Sequence, residues 1–253
     1  MSTLAVIPAR LGATRLPGKP LRLLGGEPLG AQVGRRVADS GIADRCVVAT
    51  DSHEVMQALR AAGGEAVMTS PDHASGTDRV AEVATMADFR EYDVIVNVQG
   101  DEPFVSDSAI RGAAFMVSSG RFSLGTAAAI ASPSILESQH VVKVVTADDG
   151  RALYFSRAPI PFLRDSSDAA ERDDSVRQHI GVYAYTRASL ARWVSLPPHP
   201  LERIERLEQL RPLAAGVSMG VTVIEEPAPE GIDTEEDLER ANARWTLYFA
   251  GRY

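Results

Sequence analysis

The chain has 253 residues, 45% of them hydrophobic, which is enough to fill the core of one large domain or of a domain with a sizeable insertion. Its 34 acidic and 26 basic residues give a net charge of -8, which argues against nucleic acid as the main partner, because phosphate backbones require a broad basic surface. Since the apolar start is too short for a signal peptide and no apolar run reaches the length of a membrane span, we expect a cytoplasmic protein with no membrane partner.

Short apolar runs alternate with amphipathic stretches through the first half, which is typical of successive β-α units and a parallel sheet. The predicted strands cover residues 4–7, 46–49, 65–68, 94–98 and 124–129. The predicted helices cover residues 29–39, 53–62 after an N-cap at Ser52, 78–89 after a cap at Thr77, and the stretch from Ser106 through residue 117. The sole cysteine, Cys46, begins the second strand, so an internal disulfide is excluded and a buried structural thiol is expected.

The loop after the first strand reverses the overall charge of the chain. Residues 10–22 contain four cations, Arg10, Arg15, Lys19 and Arg22, and no acidic residue. Cations placed just beyond the end of a strand create a focused positive potential that suits an anionic ligand. We interpret that ligand as a nucleoside triphosphate.

This loop is not a standard phosphate-binding loop. Five residues separate Gly12 from Gly18 where the Walker pattern allows four, and Pro20 follows Lys19 where a Ser or Thr would hold magnesium. The alternative interpretation, a surface turn rich in Gly and Pro with solvated cations, stays open on spacing alone. The local reversal of charge favours the anion site.

A second segment of interest, Ser75-Gly76-Thr77-Asp78-Arg79, lies between a predicted strand and a predicted helix. Small residues at such a position permit close approach of the backbone to a ligand, and the free amides of a helix start face that ligand. A capped helix start with no ligand also explains this segment, so it is only weak support for a binding site.

Asp101 follows the most convincing central strand, in the segment Asn97-Val98-Gln99-Gly100-Asp101-Glu102-Pro103. In an open parallel sheet ligands bind beyond the carboxyl ends of the strands, so Asp101 is expected to face the same crevice as loop 10–22. A magnesium ion needs carboxylate and triphosphate oxygens together, which makes Asp101 the first candidate metal ligand. Its alternative role is that of an ordinary turn residue.

After about residue 130 the pattern changes. Residues 141–145 and 152–155 flank a turn, Asp148-Asp149-Gly150, and predict a β-hairpin, so antiparallel strands enter here. Residues 164–177 are charged and nearly free of aliphatic side chains, which predicts a mobile loop and suggests a lid. Beyond this loop we predict a strand at 180–185, a helix at 201–210 and a strand at 221–224.

Polar residues in the second half have two interpretations. Arg157 and His179 are candidates for a fork onto a substrate carboxylate, although a structural role is more common for either residue type. Glu208 and Gln209 are candidates for acceptors of sugar hydroxyls or for an ordinary helix surface. The sequence contains no recognisable pair of nucleophile and base, and its histidines form no ligand motif for a metal. The chemistry should therefore depend on positioned substrates and a metal ion, as in phosphoryl and nucleotidyl transfer.

Asp233 directly precedes the final predicted helix. Thr234-Glu235-Glu236-Asp237 fits a capping box, with acidic residues at the positive end of the helix dipole. Asp233 is a candidate second carboxylate for the metal ion, but the sequence alone favours helix capping by Asp233 or Thr234.

Together, these residues resemble the 3-deoxy-manno-octulosonate (Kdo) cytidylyltransferases, also called CMP-Kdo synthetases, over essentially the whole chain. The matching motifs, in order, are Ile7-Pro8-Ala9-Arg10, Thr14-Arg15-Leu16-Pro17-Gly18-Lys19-Pro20-Leu21, Val48-Ala49-Thr50-Asp51, Ser75-Gly76-Thr77-Asp78-Arg79, Val96-Asn97-Val98-Gln99-Gly100-Asp101-Glu102-Pro103, Leu153-Tyr154-Phe155-Ser156-Arg157, His179-Ile180-Gly181-Val182-Tyr183 and Leu207-Glu208-Gln209-Leu210-Arg211. Eight motifs in the same order make the resemblance specific.

The resemblance implies a single α/β domain of the nucleotide-diphosphosugar transferase type. Its mostly parallel central sheet would be flanked by helices, with a smaller antiparallel portion from the second half. Residues 1–130 would mainly bind the nucleotide, and residues 131–225 would mainly bind the sugar acid and form a homodimer. Residues 226–253 would supply the metal-site turn and the C-terminal helix.

The resemblance also implies a reaction in which CTP and Kdo give CMP-Kdo and diphosphate for lipopolysaccharide synthesis, with Mg²⁺ as the cofactor. The matching positions for CTP are Pro8, Ala9, Arg10, Arg15, Lys19, Ser75, Gly76, Thr77 and Asp101. Those for the sugar acid are Gln99, Arg157, His179, Tyr183, Glu208 and Gln209. Asp101 and Asp233 would hold the metal ion, and these two act in catalysis with Arg10, Arg15 and Lys19.

Three alternatives stay open at this point. In the first alternative the substrate is 8-amino-Kdo or another 2-keto-3-deoxy sugar acid in place of Kdo. In the second alternative the substrate is sialic acid, although CMP-sialic acid synthetases usually lack a run like that at residues 16–21. The third alternative is a silent CTP-binding module, which would need neither two metal carboxylates nor a sugar-acid site. The chain departs from the family pattern at Gly30 and in residues 164–177.

Overall fold

The computed structural model describes residues 1–12 and 15–250, with side chains throughout except at 246–250. Thr14, which begins the second matching motif, lies outside the described residues. The strands are β1 (Thr3–Pro8), β2 (Leu23–Leu24), β3 (Glu27–Pro28), β4 (Arg45–Thr50), β5 (Ala66–Met68), β6 (Val94–Asn97), β7 (Leu124–Ile130), β8 (Lys143–Thr146), β9 (Ala152–Ser156), β10 (Arg177–Thr186) and β11 (Met219–Ile224). The helices are α1 (Leu29–Asp39), α2 (His53–Ala61), α3 (Gly76–Thr85), α4 (Asp107–Ser118), α5 (Ala169–Asp174), α6 (Arg187–Ser195), α7 (Pro200–Glu205), α8 (Leu210–Ala214) and α9 (Glu235–Ala250).

Internal contacts divide the chain into two compact units. The N-terminal unit contains residues 2–105 and the chain from residue 229 onward, and the central unit contains residues 106–228. The assignment of nucleotide and sugar-acid binding to particular stretches of the chain stays a prediction. Within the described part of the chain, no helix combines the length and the apolar character needed to cross a bilayer.

The N-terminal unit contains a parallel sheet with the strand order β6-β1-β4-β5. The residues of β6 and nearly all those of β1 are buried, as expected for parallel strands that helices cover. Helix α1 contacts β4, α2 contacts β4 and β5, and α3 contacts β1. Because these strands are parallel, the loops that follow Pro8, Thr50, Met68 and Asn97 lie at the same edge of the sheet.

Most of the antiparallel pairing lies in the central unit; the exception is the short pair β2–β3 of the N-terminal unit. β10 is antiparallel to β7 and β8, β8 is antiparallel to β9, and β11 runs parallel to β7. Helix α4 packs very closely on this part of the sheet, since a Cβ on Gly125 would lie 2.2 Å from the carbonyl oxygen of Ala113. The predicted fold class, a mostly parallel α/β sheet flanked by helices with a smaller antiparallel portion, is confirmed.

Several predicted elements agree with the structure. Helix α1 has the predicted bounds, and Ser52 caps α2 by accepting a hydrogen bond from the amide of Val55. Ser106 caps α4 in the same way. The predicted hairpin is formed by β8 and β9, with Gly150 in the left-handed region at φ 84°. Local capping and turn chemistry account for these successes.

Two predicted helices have different bounds in the structure. Ser75, not Thr77, caps α3, because Ser75 and Asp78 form a capping box; the helix then ends at Thr85, and a separate 3-10 turn covers Ala87–Phe89. The helix predicted at 201–210 is broken into α7 and α8, because Arg206 adopts a left-handed conformation with φ 56°.

Residues 164–177 and Cys46 also differ from the sequence prediction. The segment is not a structureless loop, since it contains a 3-10 turn at Ser166–Asp168 followed by α5; whether it acts as a lid stays a prediction. Cys46 is only partly buried, with its Sγ 3.6 Å from the carbonyl oxygen of Gly34. Burial and the charge of Glu65 raise the pKa of the thiol to about 12, which leaves it protonated and unreactive.

Candidate functional site

The loop after β1 is held at the carboxyl edge of the parallel sheet. The amide of Ala9 donates to the carbonyl oxygen of Ala49 over 2.8 Å, which extends the β1–β4 pairing one residue beyond the strand. Further along, Gly18 adopts φ 65° and begins the 3-10 turn Lys19–Leu21, with Pro20 inside it. A side chain at Gly18 would be strained in this conformation, so the glycine is needed to turn the chain at Lys19.

The ammonium group of Lys19 binds two carboxylates. Its Nζ lies 2.8 Å from Oδ2 of Asp101 and 2.9 Å from Oδ1 of Asp233. Nη2 of Arg15 lies 3.0 Å from the other oxygen of Asp233. Burial alone would lower the pKa of Lys19, but the two carboxylates outweigh this effect and raise the pKa above its ordinary value. Two acidic residues from distant parts of the sequence therefore converge on one cation.

The carboxylate of Asp233 can bind Lys19 because the neighbouring residue, Thr234, caps α9 in its place. Oγ1 of Thr234 accepts the amide of Asp237 over 3.2 Å, and the Asp237 carboxylate accepts the amides of Asp233 and Thr234 over 3.0 and 2.8 Å. The predicted capping box is confirmed, with Thr234 as the cap, and capping by Asp233 is wrong. The amide of Ile232 donates to the carbonyl oxygen of Asp101 over 2.9 Å, which holds the two acidic segments side by side.

Glu102 adds a third carboxyl group behind this pair. Its Oε2 is enclosed and has no hydrogen-bond partner, and a Cβ on Gly231 would lie 3.2 Å from its Oε1. Burial, reinforced by the charges of Asp101 and Asp233, raises the pKa of Glu102 to about 8. At neutral pH Glu102 is therefore mostly protonated, and the charges of Asp101 and Asp233 are balanced by those of Lys19 and Arg15.

The start of α3 forms another wall of the site. Oγ of Ser75 accepts the amide of Asp78 over 3.1 Å, and the Asp78 carboxylate accepts the amide of Ser75 over 3.0 Å. A Cβ on Gly76 would lie 3.2 Å from Cγ of Pro8, so the helix start approaches the end of β1 closely. Thr77 is buried in the first turn of α3 and is not among the residues that line the pocket.

These walls enclose a pocket of about 350 Å³ within the N-terminal unit, a size that suits a small-molecule ligand. Ten sequence-predicted site residues line it, namely Pro8, Ala9, Arg10, Arg15, Lys19, Ser75, Gly76, Gln99, Asp101 and Asp233. The cavity therefore has a cationic wall, formed by Arg10, Arg15 and Lys19, and an acidic wall, formed by Asp101 and Asp233.

Among the ionisable residues that line this pocket, the sequence analysis missed two, His73 and Arg79. His73 is bonded through Nε2 to the carboxylate of Glu82, which also accepts the amide of Ser70 over 2.9 Å. Arg79 is buried and paired with Asp51. Arg79 closes the segment that begins at Ser75, so its place in that motif was the available signal, whereas nothing in the spacing indicated His73.

Three predicted sugar-acid residues form one cluster in the central unit. The rings of His179 and Tyr183 lie 5.5 Å apart, and Tyr183 meets Trp193 edge to face at 5.7 Å. Nε1 of Trp193 donates to Oε1 of Glu208 over 3.2 Å. Four residues of regular strand span roughly 13 Å, so the irregular register between Ile180 and Tyr183 in β10 is what brings the two rings together.

Arg157 is oriented by backbone oxygens of the central unit. Its Nε donates to the carbonyl oxygen of Glu205 over 2.9 Å, and its Nη1 donates to that of Gln139 over 3.0 Å. The carboxylate of Glu205 accepts the amide of Arg157 and the hydroxyl of Ser156. Gln209 is buried just before α8. Among the predicted sugar-acid residues, Gln99 alone belongs to the N-terminal unit.

Comparisons with known proteins identify the family of this chain. Residues 4–221 match the family described as cytidylyltransferase. A 3-deoxy-manno-octulosonate cytidylyltransferase from Gemmatimonas aurantiaca is 62% identical over 251 residues, which cover 99% of this chain and 96% of the relative. The chain belongs to the 3-deoxy-manno-octulosonate cytidylyltransferase family. The resemblance inferred from the eight motifs is confirmed.

Two further relatives of this cytidylyltransferase support the assignment. The enzyme of the same name from Stenotrophomonas maltophilia is 46% identical over 243 residues, covering 94% of each chain. A solved CMP:2-keto-3-deoxy-manno-octonic acid synthetase complexed with CTP superposes with a TM-score of 0.90 at 36% identity, covering 98% of this chain and 100% of that one. The similarity extends over nearly the full length of each relative.

Proposed function

We propose that this protein is a 3-deoxy-manno-octulosonate cytidylyltransferase, which couples CTP to Kdo and releases diphosphate. The observation that carries the proposal is the convergence of Lys19, Asp101 and Asp233 in a pocket that Arg10 and Arg15 also line. Cations suit the triphosphate, and paired carboxylates suit a metal ion that bridges to it. The 62% identity to an enzyme of this name favours Kdo over other sugar acids and over a silent binding module.

The carboxylate pair fits a magnesium ion. Magnesium usually takes one or two protein carboxylates and completes its shell with water and substrate phosphate. Asp101 and Asp233 bind the same ammonium, so their oxygens already face one point. Among residues 1–12 and 15–250, no three Asp, Glu, His or Cys side chains are arranged to hold a metal ion by themselves. We propose that these two residues hold the ion, which when bound would polarise the α-phosphoryl group and lower the pKa of the attacking hydroxyl.

The cationic wall is proposed to hold the triphosphate. Arg10 and Arg15 are exposed and long enough to follow a flexible ligand, whereas Lys19 is fixed by its carboxylate partners. In the reaction the anomeric oxygen of Kdo forms a bond to the α-phosphorus while the bond from that phosphorus to the bridging oxygen breaks. Arg15 and Lys19 would stabilise the charge that develops on the departing diphosphate, and the hydroxyl proton is released.

The central unit is proposed to bind the sugar acid. Arg157 presents a guanidinium oriented by two carbonyl oxygens, which suits a fork onto a carboxylate. The ring cluster of His179 and Tyr183, together with Glu208 beside Trp193, offers the apolar faces and polar atoms that a sugar requires. Gln99 and Gln209 would contribute further hydrogen bonds.

We further propose that the enzyme works in the cytoplasm as a homodimer and supplies CMP-Kdo for lipopolysaccharide synthesis. The central unit exposes large apolar side chains, with Phe162 81% and Ile204 78% exposed, and burial against a second copy would remove them from water.

Sedimentation should therefore give twice the chain mass of 27.1 kDa for the wild type. Phe162→Glu is expected to weaken the dimer because it places a charge in the apolar contact. The matched control is Leu23→Glu, an exposed apolar residue of the N-terminal unit, which should remain dimeric. A monomeric wild type, or equal dissociation of both variants, would contradict the dimer proposal.

A diphosphate-release assay tests the activity. With magnesium present, we expect turnover with CTP and Kdo, weaker or no turnover with UTP or ATP, and none when magnesium is replaced by EDTA. Turnover with sialic acid but not with Kdo would overturn the proposed substrate. Tight CTP binding without turnover for any pair would support a silent binding module instead.

A further inference from the structure

A partly buried ion pair lies beside the pocket but has no part in the chemistry assigned above. Nη2 of Arg79 is 2.9 Å from Oδ2 of Asp51, and the Arg79 side chain is only 3% exposed although it lines the cavity. Nη1 of the same guanidinium bonds Oγ1 of Thr69. Both ends of the guanidinium fork are therefore occupied by the protein itself.

The second oxygen of Asp51 extends this arrangement to the cationic loop. Oδ1 of Asp51 lies 3.3 Å from the amide nitrogen of Leu11, the residue after Arg10. Asp51 follows β4, Thr69 follows β5 and Leu11 follows β1, while Arg79 lies in the first turns of α3. Through Asp51 and Arg79, the segments that follow β1, β4 and β5 are therefore bonded to α3, whose first residues form the Ser75–Gly76 wall of the pocket.

The chemistry of the pair suits it to fixing a distance. A guanidinium is planar and presents its donors in a rigid fork, so two acceptors on it hold a defined angle. In buried surroundings each charge needs its partner, because an unpaired buried charge is strongly unfavourable. A lateral shift of either wall would break these bonds.

We infer that Asp51 and Arg79 are positioning residues for the nucleotide pocket, because their ion pair and the Asp51–Leu11 hydrogen bond set the separation between Arg10 and the Ser75–Gly76 wall. The inference rests on the proposed function only in taking CTP as the ligand. Neither residue contacts the nucleotide in this role. Asp51 and Arg79 act through the backbone segments that they hold.

Calorimetric titration of CTP without sugar acid, which prevents turnover, measures the effect on binding. We expect Asp51→Asn and Arg79→Gln each to weaken CTP binding about tenfold, and the double variant to bind no more weakly than either single variant, because each change disables the same link. Arg79→Lys keeps the charge without the fork and should fall in between.

The matched control is Arg45→Gln. Arg45 pairs with Glu65 at the opposite, amino-terminal end of β4, with Nη2 2.6 Å from Oε1, so breaking that pair should leave CTP binding unchanged. A loss for Arg79→Gln much larger than for Asp51→Asn, with additive effects in the double variant, would mean that Arg79 contacts the nucleotide and would overturn the inference.

Hydrogen exchange at the Leu11 amide gives a readout that does not depend on CTP. Arg79→Gln retains Asp51 as the acceptor for this amide, yet exchange should accelerate at least severalfold if the ion pair holds the acceptor in place. Unchanged exchange at Leu11 in a folded Arg79→Gln variant would overturn the positioning role. A wild type that does not bind CTP would refute the proposed function, and the exchange experiment would still decide this inference.

Discussion

Replacing Asp101 by Asn should lower kcat on the order of 10²- to 10³-fold. The amide keeps the size of the side chain and one acceptor oxygen, but removes the charge that a magnesium ion and Lys19 both require. Because this charge is needed when the α-phosphoryl group is attacked, the loss should appear mainly in kcat. Measurement of diphosphate release at saturating CTP and Kdo over a range of magnesium concentrations tests this prediction.

Two further variants make the result specific to the site. Asp233→Asn should give a loss of similar size and should also raise the magnesium concentration needed for half-maximal activity. Asp88→Asn changes the net charge by the same amount at an exposed position and should retain wild-type turnover. Near-normal turnover of Asp101→Asn would refute its role as a metal ligand, and a parallel loss in Asp88→Asn would point to a general effect of charge.

The parts of the fold that sequence patterns predicted correctly are those fixed by local chemistry. The caps at Ser52 and Ser106 and the box at Thr234 depend on side chains that bond amides three residues away. The break at Arg206 has no such signal, since the sequence contains neither Gly nor Pro there. In the structure the preceding residue, Glu205, bonds Ser156 and Arg157 far away in the sequence, so tertiary contacts decide where the helix ends.

The same distinction applies to the site. Asp101 was predicted because the carboxyl ends of parallel strands share one edge, and the structure places its carboxylate on Lys19. Asp233 was ambiguous because a residue before a helix often caps it, and only the contacts of Thr234 and Asp237 show that its carboxylate is free to face Lys19. Arg79 belongs to a motif that the sequence analysis quoted, but its burial and its pairing with Asp51, 28 positions away, could not be inferred from that motif.

The pH dependence of stability should reveal His179, a half-buried histidine of the central unit. Oγ1 of Thr126 lies 2.7 Å from the carbonyl oxygen of Val182 and 2.9 Å from Nε2 of His179. The threonine hydroxyl therefore donates to Val182 and accepts from a neutral His179 ring. Burial lowers the pKa of His179 from 6.5 to about 3, because the ring would have to carry its charge away from water.

The lowered pKa of His179 determines the direction in which the stability of the fold changes with pH. Between pH 6.5 and 3 the unfolded chain binds a proton at residue 179 that the folded protein does not bind, so the stability of the fold falls as the pH falls through this range. The contribution at pH 5 is about 2 kcal/mol relative to pH 8, from about 1.4 kcal/mol per pH unit. Urea unfolding at the two pH values measures it.

His179→Gln should remove this part of the pH dependence, because glutamine does not titrate and still offers a donor to Thr126. His53→Gln, which replaces an exposed histidine at the start of α2, controls for the loss of a histidine and should keep the wild-type difference between pH 8 and pH 5. The comparison isolates the His179 ring, since wild type and His179→Gln share every other titrating group. An equal fall in stability for wild type and His179→Gln would show that water reaches the ring and that its burial does not control its charge.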